Sequence, residues 1–292
     1  MRLRRRRRYG RQPMASVVAP PAPVVPPGPD GRPLGQRRRR LGIVAAAVVL
    51  VVGTVVAVVL TAGSGAPGPP SSRLGVSENR PVPASVLDIP LVNEHGQTTS
   101  LGAFRGRIVV LTSFLTSCQE TCPLTTGAFL DMQRDVAAAG LAGKVVFMEA
   151  SVDPGRDVPA RLAAYARVTG AHWPLLTGTP ANLAALWHYF GIYYQKVAED
   201  SPAGIDWETG KPYTYDVNHS DGFIVFDAHL HERFVTGAAP NLQGRTLQRS
   251  LQAMLDTQGF RNLFHPGRDS WTIPEGLQAI GWVTGRTIAS VT

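Results

Sequence analysis

"RIVVLTSFLTSCQETCPLTT", residues 107–126, joins an apolar run to the only two cysteines of the 292-residue chain. Its first part, 107–115, is a nearly continuous apolar stretch rich in β-branched residues. That is the pattern of a central strand buried on both faces. Cys118 and Cys122 follow at once. Pro123 and "LTTGAFLDMQRDVAAAG" come next, with apolar residues at helical spacing and Gly140 past the end. A buried strand leading into a helix through two thiols marks an open α/β sheet, whose sites lie at the carboxyl ends of its strands.

Beyond this stretch, "KVVFMEASVD" (144–153) reads as a second buried strand and "PGRDVPARLAAYARVTG" (154–170) as a second helix. "HWPLLTG" reads as a short strand, "TPANLAALWHYFG" (179–191) as a helix capped by Thr179, and "IYYQKV" as a further strand. Upstream, "VLDIPLVNEHGQTTSLGAF" (86–104) carries two short alternating runs around Glu94-His95-Gly96, a hairpin signal. Downstream, 198–212 looks like an inserted loop. "YTYDVNHS" and "DGFIVFDAHLHERFVTG" form a strand pair turning near Ala228–His231, and 241–258 reads as an amphipathic helix. This order predicts an α/β fold over 85–258, a thioredoxin-like mixed sheet flanked by helices. The tail 259–292 carries Trp271 and Trp282 but no pattern that places it.

The charge is unevenly placed. Residues 1–40 hold twelve Arg and one Asp, a net of +11, so the remainder of a +8 chain carries 8 − 11 = −3. The pI near 10 therefore describes the tail and argues against a nucleic-acid-binding fold. The Arg/Pro-rich tail itself has little to bury and reads as disordered. Residues 41–62, "LGIVAAAVVLVVGTVVAVVLTA", carry no charge and, as a helix rising about 1.5 Å per residue, would cross a hydrocarbon core of about 30 Å. A cleaved signal peptide has a shorter apolar region, so a single transmembrane helix is expected. The Arg tetrad at 37–40 keeps the N-terminus cytoplasmic and places the chain beyond residue 62 outside the membrane. Gly/Pro/Ser-rich residues 63–84 read as a flexible linker.

Thiols four positions apart at a helix start share one face, roughly 5–6 Å apart at Cβ. The helix N-terminus favours their thiolate forms. Such a pair can close a disulfide, act as a redox dithiol or pinch a soft ion. Thiolates suit Cu(I), and an added imidazole lets the same site hold Cu(II). Of seven histidines, His219 in "YDVNHSDGFIVF" precedes an apolar strand after a loop, where a ligand can reach the site. His95 sits in a turn, His172 and His188 neighbour tryptophans, His229 and His231 share a turn, and His265 lies in the tail. Asp153, before Pro154, reads as a turn starter, and Arg156 and Asp157 as caps of the following helix.

"SFLTSCQETCP", "ASVDPGRDVP" and "YDVNHSDGFIVFDAHLHERF", in that order after one membrane anchor, resemble the Sco/SenC family across about residues 84–258. The resemblance implies a membrane-anchored thioredoxin-like protein that delivers copper to cytochrome c oxidase. It implies that Cys118, Cys122 and His219 are copper ligands, one copper per chain, with Asp153 near the site. The acceptor implied is the copper centre of oxidase subunit II or another copper acceptor. Cysteines that must be reduced to chelate also imply an extracytoplasmic thiol reductant. This chain departs from the usual C-P-D-x-C-P, with Gln119 and Glu120 in the second and third positions, and from a Pro/Gly-rich turn at Ala228–His231. The alternative function is an exported thiol–disulfide oxidoreductase using Cys118 and Cys122 without His219. A peroxide-reducing enzyme is a third reading, weakened because no Arg lies within the cysteine motif.

Overall fold

The computed structural model describes residues 66–291. The tail 1–40 and the span 41–62 expected to cross a membrane lie outside the described residues. Among the described residues, no helix is long and apolar enough to cross one.

In chain order the elements are β1 (Val76–Pro81), α1 (Ala84–Leu87), β2 (Leu91–Asn93), β3 (Thr98–Thr99) and β4 (Ile108–Phe114). There follow α2 (Cys122–Ala138), β5 (Val145–Ser151), α3 (Pro159–Thr169), β6 (Leu175–Thr177), α4 (Pro180–Phe190), β7 (Tyr194–Val197) and β8 (Asp216–His219). The chain ends with β9 (Phe223–Phe226), β10 (His231–Thr236), β11 (Pro240–Asn241), α5 (Arg249–Gln252), α6 (Thr257–Phe264), β12 (Trp271–Thr272) and α7 (Ile273–Thr284).

Eight strands form one mixed sheet in the order β1-β10-β9-β4-β5-β6-β2-β3. All seven residues of β4 and all seven of β5 are buried, and the two pair in parallel from Ile108↔Val145 to Phe114↔Ser151. On its other edge β4 pairs antiparallel with β9. This is the thioredoxin-like mixed sheet expected, with the cysteines at the carboxyl end of its central strand.

Phe223 and Phe226 lie three apart on β9 and so face opposite sides of the sheet. On one side Phe223 meets Phe129 of α2 and Trp271 edge-on, with ring centroids 6.3 and 4.9 Å apart. On the other, Phe190 of α4 packs on Phe226 at 5.5 Å. The helix stops are local chemistry. Gly170 and Gly191 close α3 and α4 at φ 74 and 67, where a side chain would strain the backbone. Thr179 caps α4 by accepting from the Asn182 amide at 3.1 Å.

Two expectations are corrected. The linker 63–84 is not free along its length: Val76–Pro81 form the edge strand β1 on β10, with Arg80 reaching buried Glu232 at 2.6 Å. Its backbone ladder holds it, and few of its side chains are apolar, so composition concealed the strand. The stretch 241–258 is not one helix, because Gln243 and Gly244 take positive φ (51 and 77), which stops helical propagation. Only the short α5 and the start of α6 fall within it. The β9–β10 hairpin turns through Leu230 at φ 62, a glycine-like conformation held by a buried leucine side chain. The tail, which sequence left unassigned, supplies α6, β12 and α7, and its Trp271 is 1% exposed.

Candidate metal centre

The cysteine loop spans Leu115 to Thr121, between β4 and α2. Cys118 is half-buried, Cys122 buried, and both are free thiols. Cys122 opens α2, and its amide donates to the Cys118 Sγ at 3.3 Å. The helix start thus points an N–H at the first sulfur, which favours that sulfur as a thiolate.

His219 arrives from the end of β8, which pairs with β7 in a separate two-stranded sheet. Its Nε2 stands 3.4 Å from the Cys122 Sγ. Its Nδ1 lies 2.9 Å from the Ser220 carbonyl, which can only accept, so Nδ1 carries a proton and Nε2 is the atom left to ligate when the ring is neutral. Ser113 on β4 donates to the same carbonyl at 2.9 Å and touches Nδ1 at 3.5 Å. The ligand atoms of Cys118, Cys122 and His219 all lie within 4.8 Å of one another. The structure therefore brings together the three residues that the sequence singled out as ligands.

The two thiols are inequivalent. A hydrogen bond from Cys122 drives the Cys118 pKa well below the ordinary thiol value, with His219 helping and burial opposing. Burial, then the neighbouring Cys118, drives Cys122 well above it. Burial disfavours the His219 cation, but the Cys118 thiolate outweighs that and raises the imidazole pKa. A thiolate, a thiol and an imidazole lone pair form a soft donor set that suits a thiophilic ion. Cys118 and His219 line a pocket of about 210 Å³ together with Glu120, Asp216 and Asp221. Burial lifts the Glu120 pKa to about 7, so the carboxylates of Asp216 and Asp221 are what favour a cation over an anion there.

Asp153 does not line that pocket. Its carboxylate pairs with Arg156 and accepts from the Tyr215 hydroxyl at 3.0 Å. Arg156 in turn donates to the Tyr215 carbonyl at 2.9 Å. The Asp-Pro turn thereby ties the end of β5 to the segment leading into β8, the strand that carries His219. Asp157 does not cap α3, whose N-cap is Val158 without a side-chain bond. It is buried and accepts from the Thr116 hydroxyl at 2.5 Å, the Thr116 amide at 3.2 Å and the Ser151 hydroxyl at 2.6 Å. Burial lifts its pKa to about 6. This carboxylate anchors the start of the cysteine loop from behind.

The inserted loop is a second anchor that the sequence did not reveal. Its Trp207 indole donates to the Thr116 carbonyl at 2.7 Å. Arg161 of α3 bridges Thr116 Oγ1 (2.6 Å), Asp206 (2.9 Å) and Glu208 (3.2 Å). The other histidines stand apart from the site: His95 pairs with Glu94, and His229 faces His231 across the β9–β10 turn.

A family model described as SCO1/SenC matches residues 83–256, more than half of the chain. The chain belongs to the SCO1/SenC family. The match contains the cysteine loop, Asp153 and His219, and it ends where α6 begins. The SCO1 protein homolog of Bacillus subtilis (strain 168) is 28% identical over 89 residues, 30% of this chain and 45% of that protein. The alignment thus spans less than half the length of that relative. Bradyrhizobium japonicum ScoI, solved with copper bound, is similar at 23% identity and a TM-score of 0.42, covering 56% of this chain and 94% of that one. BsSco, described as carrying a disulfide switch and as a member of the Sco family of cytochrome c oxidase assembly proteins, is similar at 19% identity. Its TM-score is 0.38, and the match covers 57% of this chain and 87% of that one.

Proposed function

We propose that this SCO1/SenC chain is a copper metallochaperone. The observation that carries the reading is the convergence of Cys118, Cys122 and His219, with ligand atoms within 4.8 Å. Copper is the cargo. Two sulfurs and one imidazole supply the soft ligands that Cu(I) takes, and the same set tolerates Cu(II). The acceptor is the copper centre of cytochrome c oxidase subunit II, reached by ligand exchange outside the membrane. The span 41–62 anchors the chain with its N-terminus in the cytoplasm, and a thiol reductant on the far side keeps the cysteines open. The copper described for ScoI and the assembly role described for BsSco accord with this reading.

The test is an anaerobic titration of the reduced chain with Cu(I) against a chromophoric chelator. One Cu(I) per chain is expected, with affinity lost in Cys118→Ser and Cys122→Ser and weakened in His219→Ala. Stoichiometry well below one, or affinity indifferent to His219→Ala, overturns it.

The asymmetry of the thiols favours a second reading, an exported thiol–disulfide oxidoreductase. A stabilised Cys118 thiolate beside a Cys122 held as thiol is the arrangement of an attacking and a resolving cysteine. Partner reduction by the His219→Ala variant at the wild-type rate, with no copper-dependent phenotype, would select it.

A further inference from the structure

Gln119, the residue directly after the first thiol, is held from two sides. Its carbonyl accepts the Asp256 amide at 3.0 Å. Asp256 is the N-cap of α6, and its carboxylate accepts from the Gly259 amide at 2.6 Å. The first turn of α6 lies so close to the loop that a Cβ on Gly259 would stand 2.2 Å from the Gln119 oxygen. No side chain fits there without moving one backbone or the other. On the opposite side, the Gln119 amide group reaches the Ile205 carbonyl at 3.5 Å, and a Cβ on Gly204 would stand 1.9 Å from its Oε1. Gln119 and Glu120 form the wall shared by the metal pocket and a larger groove of about 1030 Å³, which the inserted loop and α6 line.

The contact joins the cysteine loop to a helix beyond residue 256, where the family match ends. We propose that Asp256 and Gly259 are positioning residues whose grip on the Gln119 carbonyl holds the cysteine loop in its open, dithiol form. The inference rests on the reading of Cys118 and Cys122 as the working centre. Closing them takes sulfurs that lie within 4.8 Å of one another to about 2.05 Å. In this proposal the loop between them moves with the closure, and its first residue, Gln119, is the one that α6 holds. A contact made in the dithiol and lost in the disulfide biases the pair toward the dithiol.

Closure itself takes two electrons and two protons from the two thiols. Oxidised glutathione accepts them and leaves as two molecules of reduced glutathione. The first test compares the full chain, metal-free, in both states by amide hydrogen exchange. The Asp256 amide is expected to exchange at least tenfold faster in the disulfide form. Equal rates in the two forms overturn the proposal. The second test titrates the pair with glutathione in Gly259→Ala. A tenfold shift of the equilibrium toward the disulfide is expected, a fall of about 30 mV in potential. Gln258→Ala, on the same turn but with its side-chain hydrogen bonds to Asn262 and Arg261 and not to Gln119, should leave the potential in place. An unchanged potential in a folded Gly259→Ala overturns the proposal, and if that variant does not fold, the exchange comparison on the unaltered chain decides. Neither readout contains copper, so failure of the latch and failure of the copper reading are separable.

Discussion

The Nε2 of His219 lies 3.4 Å from the Sγ of Cys122, although 97 residues separate them in the chain. The approach is built by the sheet. Cys122 lies just beyond the end of β4 and opens α2. His219 closes β8, and its ring is turned by the Ser220 carbonyl, which Ser113 of β4 also holds. One carbonyl thus ties the imidazole to the strand that leads to the thiols.

Ser113 should therefore matter to metal affinity without touching the metal. Ser113→Ala removes one donor to Ser220 and one contact to His219 Nδ1, loosening the ring that must aim Nε2. Partners of this kind typically contribute about 10–100-fold to affinity. A tenfold or greater weakening of Cu(I) binding is expected in chelator competition, with one-to-one stoichiometry kept. Wild-type affinity in a folded Ser113→Ala would show that the ring is held by packing alone.

Cys118 should be the reactive thiol. Its pKa is lowered by Cys122 and His219, and it is partly exposed, whereas Cys122 is buried and raised. At pH 7, iodoacetamide is expected to label Cys118 faster by about tenfold or more, because the thiolate is the nucleophile. Mass spectrometry of briefly labelled chain reads the order directly. Preferential labelling of Cys122 would mean that the two roles are reversed.

Much of this is legible in the sequence. The wholly buried β4 and β5 announce themselves as continuous apolar runs, and Cys118, Cys122 and His219 can be nominated by residue type and motif order. What stays hidden is whatever depends on backbone pairing or on distant contacts. β1 is an edge strand of mostly exposed residues, so no apolar pattern marks it. Asp157 looks like a helix cap because its neighbours are a turn and a helix start, yet it turns inward to Thr116 and Ser151. Trp207 and Asp206 sit in a loop whose composition signals only irregularity, and their partners lie 91 and 45 residues away.

Arg161 should prove to be the pin of that loop. It is 8% exposed and joins Thr116 to Asp206 and Glu208. Arg161→Met keeps the aliphatic bulk but strands Asp206 and frees the inserted loop. Breaking a buried pair from one side costs about 3–5 kcal/mol, and the partial exposure of Glu208 places this one at about 3. The expected signs are a lower midpoint in chemical unfolding and faster proteolytic cleavage within 198–212. Cleavage at the wild-type rate would assign the loop's hold to Trp207 instead.

Stability should fall as pH rises, and Glu149 should dominate the effect. It is fully buried on β5, with one oxygen accepting from Thr126 at 2.9 Å and the other unpartnered. Burial lifts its pKa from 4.5 to about 8. Between those values the folded chain holds a proton that the unfolded chain has lost, so the unfolding free energy declines with pH. The loss begins near pH 4.5, continues through neutrality and levels off above about 8. Buried Asp157, raised to about 6, and Glu232, raised to about 7, act in the same direction over narrower windows. Glu149→Gln mimics the protonated acid and cannot ionise. With each unit worth about 1.4 kcal/mol and three units between pH 4.5 and 7.5, it should gain on the order of 4 kcal/mol at pH 7.5 and little at pH 4.5. Urea unfolding at the two pH values measures the difference, and equal effects of the substitution at both would exclude a protonated Glu149 in the folded chain.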